Sequence, residues 1–406
     1  MRKVFIATFL FAALVICGSR IEAQTAPSPA PSPTATPTPD WTVGGFLDAS
    51  YYTPVASGGT FVFTNGSVDR VFDGVTSGNP AAMTRFVPNA FNFNIRKNTT
   101  QGFGGQLEVT LGSDANVINS YGYSATPTYT DVTQLFLYYA SGPFTLDVGK
   151  FETLAGYEVI ESPNDNQISR SILFGFAVPF THTGARLVYA PASAFTITAG
   201  VSRGWDQLAG TGASATWEGA INWTPSKIFS LGIDGYRGQE PSVLTPYPPT
   251  AATIYGTRTL IDVVGHWNPS NVWNFGVNYD YAQQTNDQSF TSTGAIVTTG
   301  LGVPILGTAK WTGLAGYAVW NASSNVSISG RLETFNDQSG VRTGIAQTWN
   351  EGTLTVQYVP TGTNWKLRGE VRNDWSNQSA FARSTIPGTS TTNYASVGAE
   401  VIYSFP

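Results

Sequence analysis

Apolar and polar residues alternate along most of this chain. From Phe91 to Arg96 the order is Phe, Asn, Phe, Asn, Ile, Arg. In the next stretch Phe103, Gly105, Leu107, Val109 and Leu111 alternate with Gln106, Glu108 and Thr110. Trp273, Phe275, Val277, Tyr279 and Tyr281 stand against Asn274, Asn278 and Asp280, and Trp365, Leu367, Gly369 and Val371 against Lys366, Arg368, Glu370 and Arg372. A period of two predicts strands with one apolar and one polar face; a helix of the same sequence would scatter these charges round its circumference.

About sixteen such strands are expected, with fourteen or eighteen as the alternative counts. They start near Val43, Asn89, Phe103, Asp131, Phe144, Thr181, Phe195, Ala215, Ile228, Thr257, Val272, Thr308, Val326, Ile345, Asn364 and Tyr394. The links between them alternate in length. Short ones, rich in Pro, Asn, Gly and Ser as tight turns require, are Asn98–Gln101, Ser141–Pro143, Ala190–Ala194, Thr224–Lys227, Asn268–Asn271, Asn321–Asn325 and Pro360–Thr363. Long ones lie near 55–86, 112–130, 153–180, 203–214, 238–256, 284–307, 336–344 and 376–392. This order predicts an all-β fold, a transmembrane antiparallel up-and-down barrel with turns on the periplasmic side, loops outside and both termini periplasmic.

Composition narrows the environment. Charged residues make up 12% of the chain, half of the ~25% usual in soluble proteins, and aromatics 13%. No segment beyond the N-terminal region approaches the ~18 apolar residues of a membrane helix. In lipid every backbone N–H and C=O needs an internal partner, so spanning strands must close on themselves. The polar face, with Arg96, Glu108, Asp280, Arg331, Glu333, Arg368 and Arg372, then points into an interior expected to be wet. Trp217, Trp223, Trp267, Trp273, Trp311, Trp320, Trp365, Trp375 and Tyr403 near strand ends suit aromatic girdles.

The ends of the chain are different. Arg2 and Lys3 precede an apolar run from Val4 to Cys17 broken only by Thr8, and small and polar residues lead to Ala23. That order predicts a secretory signal peptide over 1–23, cleaved after Ala23. A Pro/Ser/Thr-rich linker over 24–40 follows, too poor in apolar residues to fold, and the barrel then occupies 41–406. The only cysteine, Cys17, falls in the leader, so the mature chain carries no disulfide. Loss of Arg2, Lys3, Arg20 and Glu22 with the leader leaves 18 basic against 25 acidic residues, about −7, which argues against a nucleic-acid partner. The closing stretch Tyr394 to Phe405 alternates again and ends on an aromatic residue; it resembles the signature by which the barrel-assembly machinery recognises outer-membrane barrels, although Pro406 follows it.

Candidate chemistry is sparse. The two histidines, His182 and His266, fall on different strands, and Ser169 with His182 is the only nucleophile–base pairing to weigh; neither a catalytic site nor a cofactor is expected. Glu158, Glu161 and Asp165 could hold Ca²⁺ in a loop, but solvated carboxylates are the simpler reading, and no metal site is expected. The link 153–180 stands apart from the others because it mixes Ile160, Ile168, Ile172, Leu173, Phe174, Phe176 and Val178 with charges, and so must pack against something.

The block Val148 to Arg186 resembles the OmpL-like β-barrel porin family. The resemblance is carried by Gly149-Lys150-Phe151, Gly156-Tyr157-Glu158, Ser162-Pro163-Asn164, Ser169-Arg170-Ser171 and Pro179-Phe180-Thr181-His182-Thr183-Gly184-Ala185-Arg186, with Gly204-Trp205-Asp206 beyond it. The opening Gly45 to Tyr52 and the closing strand look similar too. The resemblance implies an outer-membrane barrel with channel activity and brings no ligand with it. By analogy with general porins, 153–180, as the third external loop, folds inward, the alternative being a lid over the barrel mouth. Its Glu158, Glu161 and Asp165 are then expected to face basic wall residues, Arg186, Arg368 and Arg372, with Arg170 tying the loop to an acidic neighbour, the seven together forming a pore constriction. The expected function is passive diffusion of small hydrophilic solutes or ions through the outer membrane, with the lipid bilayer as partner and a homotrimer as one allowed assembly. The alternatives are an adhesin or structural barrel with a plugged lumen, and a secreted soluble all-β sugar-binding protein.

Overall fold

The computed structural model describes residues 40–54, 59–61, 85–120, 129–208, 215–242, 254–293, 295–383 and 390–406. The expected leader, and the linker up to residue 39, lie outside these residues, as does most of the first long link. The barrel strands in chain order are β1 Trp41–Pro54, β2 Arg85–Lys97, β3 Gly102–Leu111, β4 Thr130–Ser141, β5 Phe144–Glu152, β6 Thr181–Ala192, β7 Phe195–Ser202 and β8 Thr216–Trp223. They continue as β9 Phe229–Pro241, β10 Tyr255–Trp267, β11 Trp273–Gln288, β12 Leu306–Asn321, β13 Val326–Asp337, β14 Gln347–Tyr358, β15 Trp365–Ser376 and β16 Asn393–Phe405. Every start expected from the alternation lies within four residues of these.

Each strand pairs with its neighbours in sequence, and β1 closes on β16 with Gly45 opposite Phe405. Closure leaves no unpaired edge, the condition lipid imposes. The small sheet of Gly59–Phe61, Phe381–Arg383 and Ser390–Thr391, and a short helix Ser113–Ile118 in the second long link, are not anticipated by the periodicity.

Outward positions carry the apolar belt. On β13, for example, Leu332 is 68% exposed between the buried Arg331 and Glu333. At the short-turn end the aromatic residues meet across strands: Trp273 stacks on Trp320 with centroids 6.1 Å apart, and Trp365 lies 4.6 Å from Tyr403. Trp311 is the exception, since it points inward and is fully buried, so it belongs to no girdle.

The interior differs from the wet one expected. Of the seven inward charges singled out above, Arg96 is exposed, while Glu108, Asp280, Arg331, Glu333, Arg368 and Arg372 are all buried. The half of the lumen toward the long connections is filled, and an apolar cluster that includes Leu173, Phe174, Trp311, Phe335 and Trp349 lies within it. Toward the short turns the inward positions Thr42, Arg96 and Asn222 are exposed. The physical reason lies in the chain segment between β5 and β6.

Candidate functional site

Segment 153–180 starts and ends at one point of the wall, where the N–H of Thr153 donates to the carbonyl of Phe180 at 2.9 Å. Between these ends it bonds with side chains on β9 to β13 and on β15, all at inward positions. The tyrosine hydroxyl of Tyr236 accepts from the N–H of Leu154 at 2.9 Å, Asp262 from Gly156 at 3.1 Å and Asn278 from Tyr157 at 3.0 Å. Gly156 has φ +101°, a left-handed conformation that costs glycine nothing. The Tyr157 ring then lies on Tyr317, centroids 4.0 Å apart, with His266 4.8 Å away. Its seat is Gly276, where an added Cβ would come within 2.1 Å of the ring. Burial pushes the Tyr157 hydroxyl up to about 12.

A backbone threaded through a water-poor interior must have its polar groups met by side chains. Wall carboxylates accept from its N–H groups: Glu370 from Ile168 at 2.7 Å and Ser169 at 3.1 Å, Glu333 from Ile172 at 2.6 Å and Leu173 at 3.1 Å. Wall cations donate to its carbonyls: Lys366 to Pro163 at 2.5 Å, Arg368 to Ser162 at 3.1 Å and Asp165 at 2.5 Å, Arg331 to Ser169 at 2.8 Å and Arg372 to Arg170 at 2.7 Å. Past the turn Leu173–Ala177, the indole of Trp311 donates to Ala177 at 3.1 Å. Asp206, with φ +52°, accepts from both Phe180 and Thr181, at 2.7 and 2.9 Å, and so locks the exit. The Gly204-Trp205-Asp206 stretch is therefore an anchor for the segment.

The seven constriction candidates occupy distinct settings. Glu158 meets Arg331 at 2.6 Å, whereas Arg186, Arg368 and Arg372 were the expected partners. Asp165 pairs with Arg170 at 3.1 Å within the segment, and the same guanidinium donates to the carbonyl of Ile160 at 2.8 Å. Arg368 and Arg372 take the segment's carbonyls and hold carboxylates of the wall, Arg368 with Glu400 at 2.9 Å and Arg372 with Asp374 at 2.7 Å. Arg186 bonds Glu218 at 2.6 Å and lies 4.1 Å over the ring of Phe151. Glu161 faces acids rather than bases: one oxygen each of Glu108, Glu152 and Glu161 lie within 4.8 Å of one another. Burial, and then the charge on Glu152, raise the Glu161 carboxyl well above the usual carboxylate range. Glu158, Glu161 and Asp165 thus have three separate sets of partners and do not converge as one cation cage. Ser169 is held by Glu370 and Arg331, while His182 sits against the carbonyl of Gly204 at 3.2 Å with its ring 4.7 Å from Tyr236.

Arg331 and Glu333, which the alternation only turns toward the lumen, and Glu370, Asp262 and Asn278 hold the segment although the sequence does not single them out for it. A signal for some of them was present: Arg331/Glu333, Arg368/Glu370 and Arg372/Asp374 place opposite charges two residues apart on one strand face. Such rows make ladders of donors and acceptors for a chain lying against the wall.

The family model described as Putative beta-barrel porin-2, OmpL-like matches residues 41–405. The chain belongs to this family. It is an outer-membrane β-barrel porin, and the match spans the whole barrel. Among solved structures this porin is similar in fold to OmpT of Vibrio cholerae in its trimer form, at 11% identity and TM-score 0.54, over 90% of this chain and 99% of that one. It is similar to an anion-selective porin from Comamonas acidovorans at 9% identity and TM-score 0.55, over 90% and 99% of the two chains. It is similar to Salmonella typhi OmpF in complex with daunomycin at 9% identity and TM-score 0.55, over 90% and 97%. None of the curated proteins matches this chain.

Proposed function

We propose that this porin passes small hydrophilic solutes or ions by passive diffusion and that segment 153–180 sets the narrowest part of the path. The observation that carries the reading is the contrast along the barrel axis. Inward residues at the short-turn end, Thr42, Arg96 and Asn222, are exposed, while those beside the segment are buried. A solute entering from the short-turn end meets the segment's accessible side, where Asn164 is exposed and Glu161 half-buried. The proposed constriction set is Glu158, Glu161, Asp165, Arg170, Arg186, Arg368 and Arg372, and Glu161 stands beside two further acids, Glu108 and Glu152. A channel, not an enzyme, is the reading for the inner side chains. The short turns and both termini face the periplasm, the leader is cleaved and the linker stays on that side; insertion uses the closing strand at Phe405, and a homotrimer is the assembly to test.

The buried apolar cluster around Leu173 and Trp311 favours one second reading, a barrel whose lumen is plugged and which serves as an adhesin or a structural protein. Planar-bilayer recording separates the two. The wild type is expected to show discrete conductance steps. The triple variant Glu158→Gln, Glu161→Gln, Asp165→Asn should shift the reversal potential away from cations. Inserted protein without conductance would leave the plugged reading standing, and an inserted triple variant with unchanged selectivity would remove the segment from the path.

A further inference from the structure

The outward face of this barrel has a charge pattern that solute passage does not require. Among the strand side chains the structure describes, no carboxylate is exposed, and four charged residues are: Arg96, Lys97, Arg237 and Lys310. All four are basic. Arg96 points inward, where its guanidinium donates to Gln106 at 2.9 Å. Lys97 is on the outward face at the short-turn end. Arg237 and Lys310 are on the outward face at the opposite end, on β9 and β12.

These two belong to one row. Across the sheet Trp217 pairs with Arg237, Arg237 with Thr259, Thr259 with Gln283 and Gln283 with Lys310. Three strand spacings separate the two cations, roughly 14 Å. A hydroxyl and an amide lie between them, and an indole that is 66% exposed stands at one end. Arg237 donates to the Thr259 hydroxyl at 2.9 Å, which spends one of its five donors and orients the guanidinium along the row. Four residues toward the membrane centre the same strands present Ile221, Ile233, Val263, Tyr279 and Leu314 outward. The row therefore sits at the edge of the apolar belt, at headgroup depth, where basic side chains reach toward the interface.

We propose that the row Trp217–Arg237–Thr259–Gln283–Lys310 binds the phosphate-bearing headgroup of a membrane lipid. The occupant follows from charge and place. The surface is cationic and lacks exposed carboxylates, a planar guanidinium suits a phosphate bidentately, and the apolar belt directly below receives acyl chains. The spacing suits a headgroup with two phosphates, one for each cation. With the long connections outside the cell, that lipid belongs to the outer leaflet.

The test uses the full barrel in nanodiscs of phosphatidylcholine doped with a small fraction of diphosphorylated lipid A, followed by native mass spectrometry. Wild type is expected to retain lipid A through mild detergent extraction. The variant Arg237→Gln/Lys310→Gln should retain about 25-fold less, a factor of about five for each basic residue. Lys97→Gln, at the other end, and the charge-preserving Arg237→Lys/Lys310→Arg should behave close to wild type. Phosphatidylcholine adducts should be equal in all, and inorganic phosphate should not displace the lipid. Retention in the double glutamine variant equal to wild type, or displacement of the lipid by inorganic phosphate, would overturn the proposal. Nanodiscs are indifferent to cellular orientation, and a surface tag at Ser292 reports that orientation separately.

Discussion

Two connections at the same end of the barrel, 153–180 and 289–305, have opposite fates. Both are rich in apolar residues: the first carries Ile160, Ile172, Leu173 and Phe174, the second Ile296, Val297, Leu301, Val303 and Ile305. Yet the first four are buried, while Leu301 is 93% and Val303 58% exposed. The difference lies in where the backbone finds its partners. Segment 289–305 folds back on itself, with Val297 donating to Ser289 at 2.9 Å, Ile305 to Val297 at 3.0 Å and Thr299 to Val303 at 2.8 Å. Segment 153–180 bonds with itself too, through Arg170 and Asp165, but it also takes partners all along the wall, carboxylates for its N–H groups and guanidinium groups for its carbonyls. Apolar content alone does not draw a loop inward; a wall able to satisfy its backbone does.

The largest expected effect comes from removing the cation at the centre of that arrangement. Arg331 bonds Glu158 and Glu351, both at 2.6 Å, and the carbonyl of Ser169. Arg331→Met strands two buried carboxylates and should cost about 3–5 kcal/mol. Urea unfolding in detergent, with limited proteolysis, should show new cleavage within 153–180 and unchanged cleavage in 289–305. A loss under about 1 kcal/mol would mean the wall charges are incidental.

A smaller loss, about 1–3 kcal/mol, is expected for Gly276→Val, because the new side chain occupies the seat of Tyr157 and must swing that ring off Tyr317. Leu301→Ser in the exposed connection should stay within about 0.5 kcal/mol. Equal effects of these two substitutions would erase the contrast between the connections.

The smallest effect concerns pH. Glu161 has its carboxyl raised by burial and by Glu152, so docking of the segment binds a proton. The stability this brings is complete below the ordinary glutamate value of about 4.5 and is lost as pH rises through the raised one. Accessibility of 153–180 to protease should therefore increase from acid to neutral pH, and Glu161→Gln should flatten that slope. A variant with the wild-type slope would assign the pH dependence to other groups.

Closure, strand number and the face each strand turns outward were legible because each rests on a local rule. A period of two marks the strand, short polar links mark hairpins, and lipid forbids an open edge. The expectation that Glu158 would face Arg186, Arg368 or Arg372 had no such rule behind it. Its partner is Arg331, 173 residues away in the chain, and the pairing depends on how deep the segment sits and which way it turns at Gly156. The same depth turned Glu161 toward Glu108 and Glu152, and gave Arg368 and Arg372 backbone carbonyls to hold. Alternation along the chain assigns every strand residue to one of two faces, because the pleat leaves no third choice. Which inward residue meets which is a matter of long-range geometry, settled when sixteen strands close and a connection of 28 residues, 153–180, finds donors and acceptors along the wall. No short-range pattern encodes that distance, since the partners share neither a strand nor a turn.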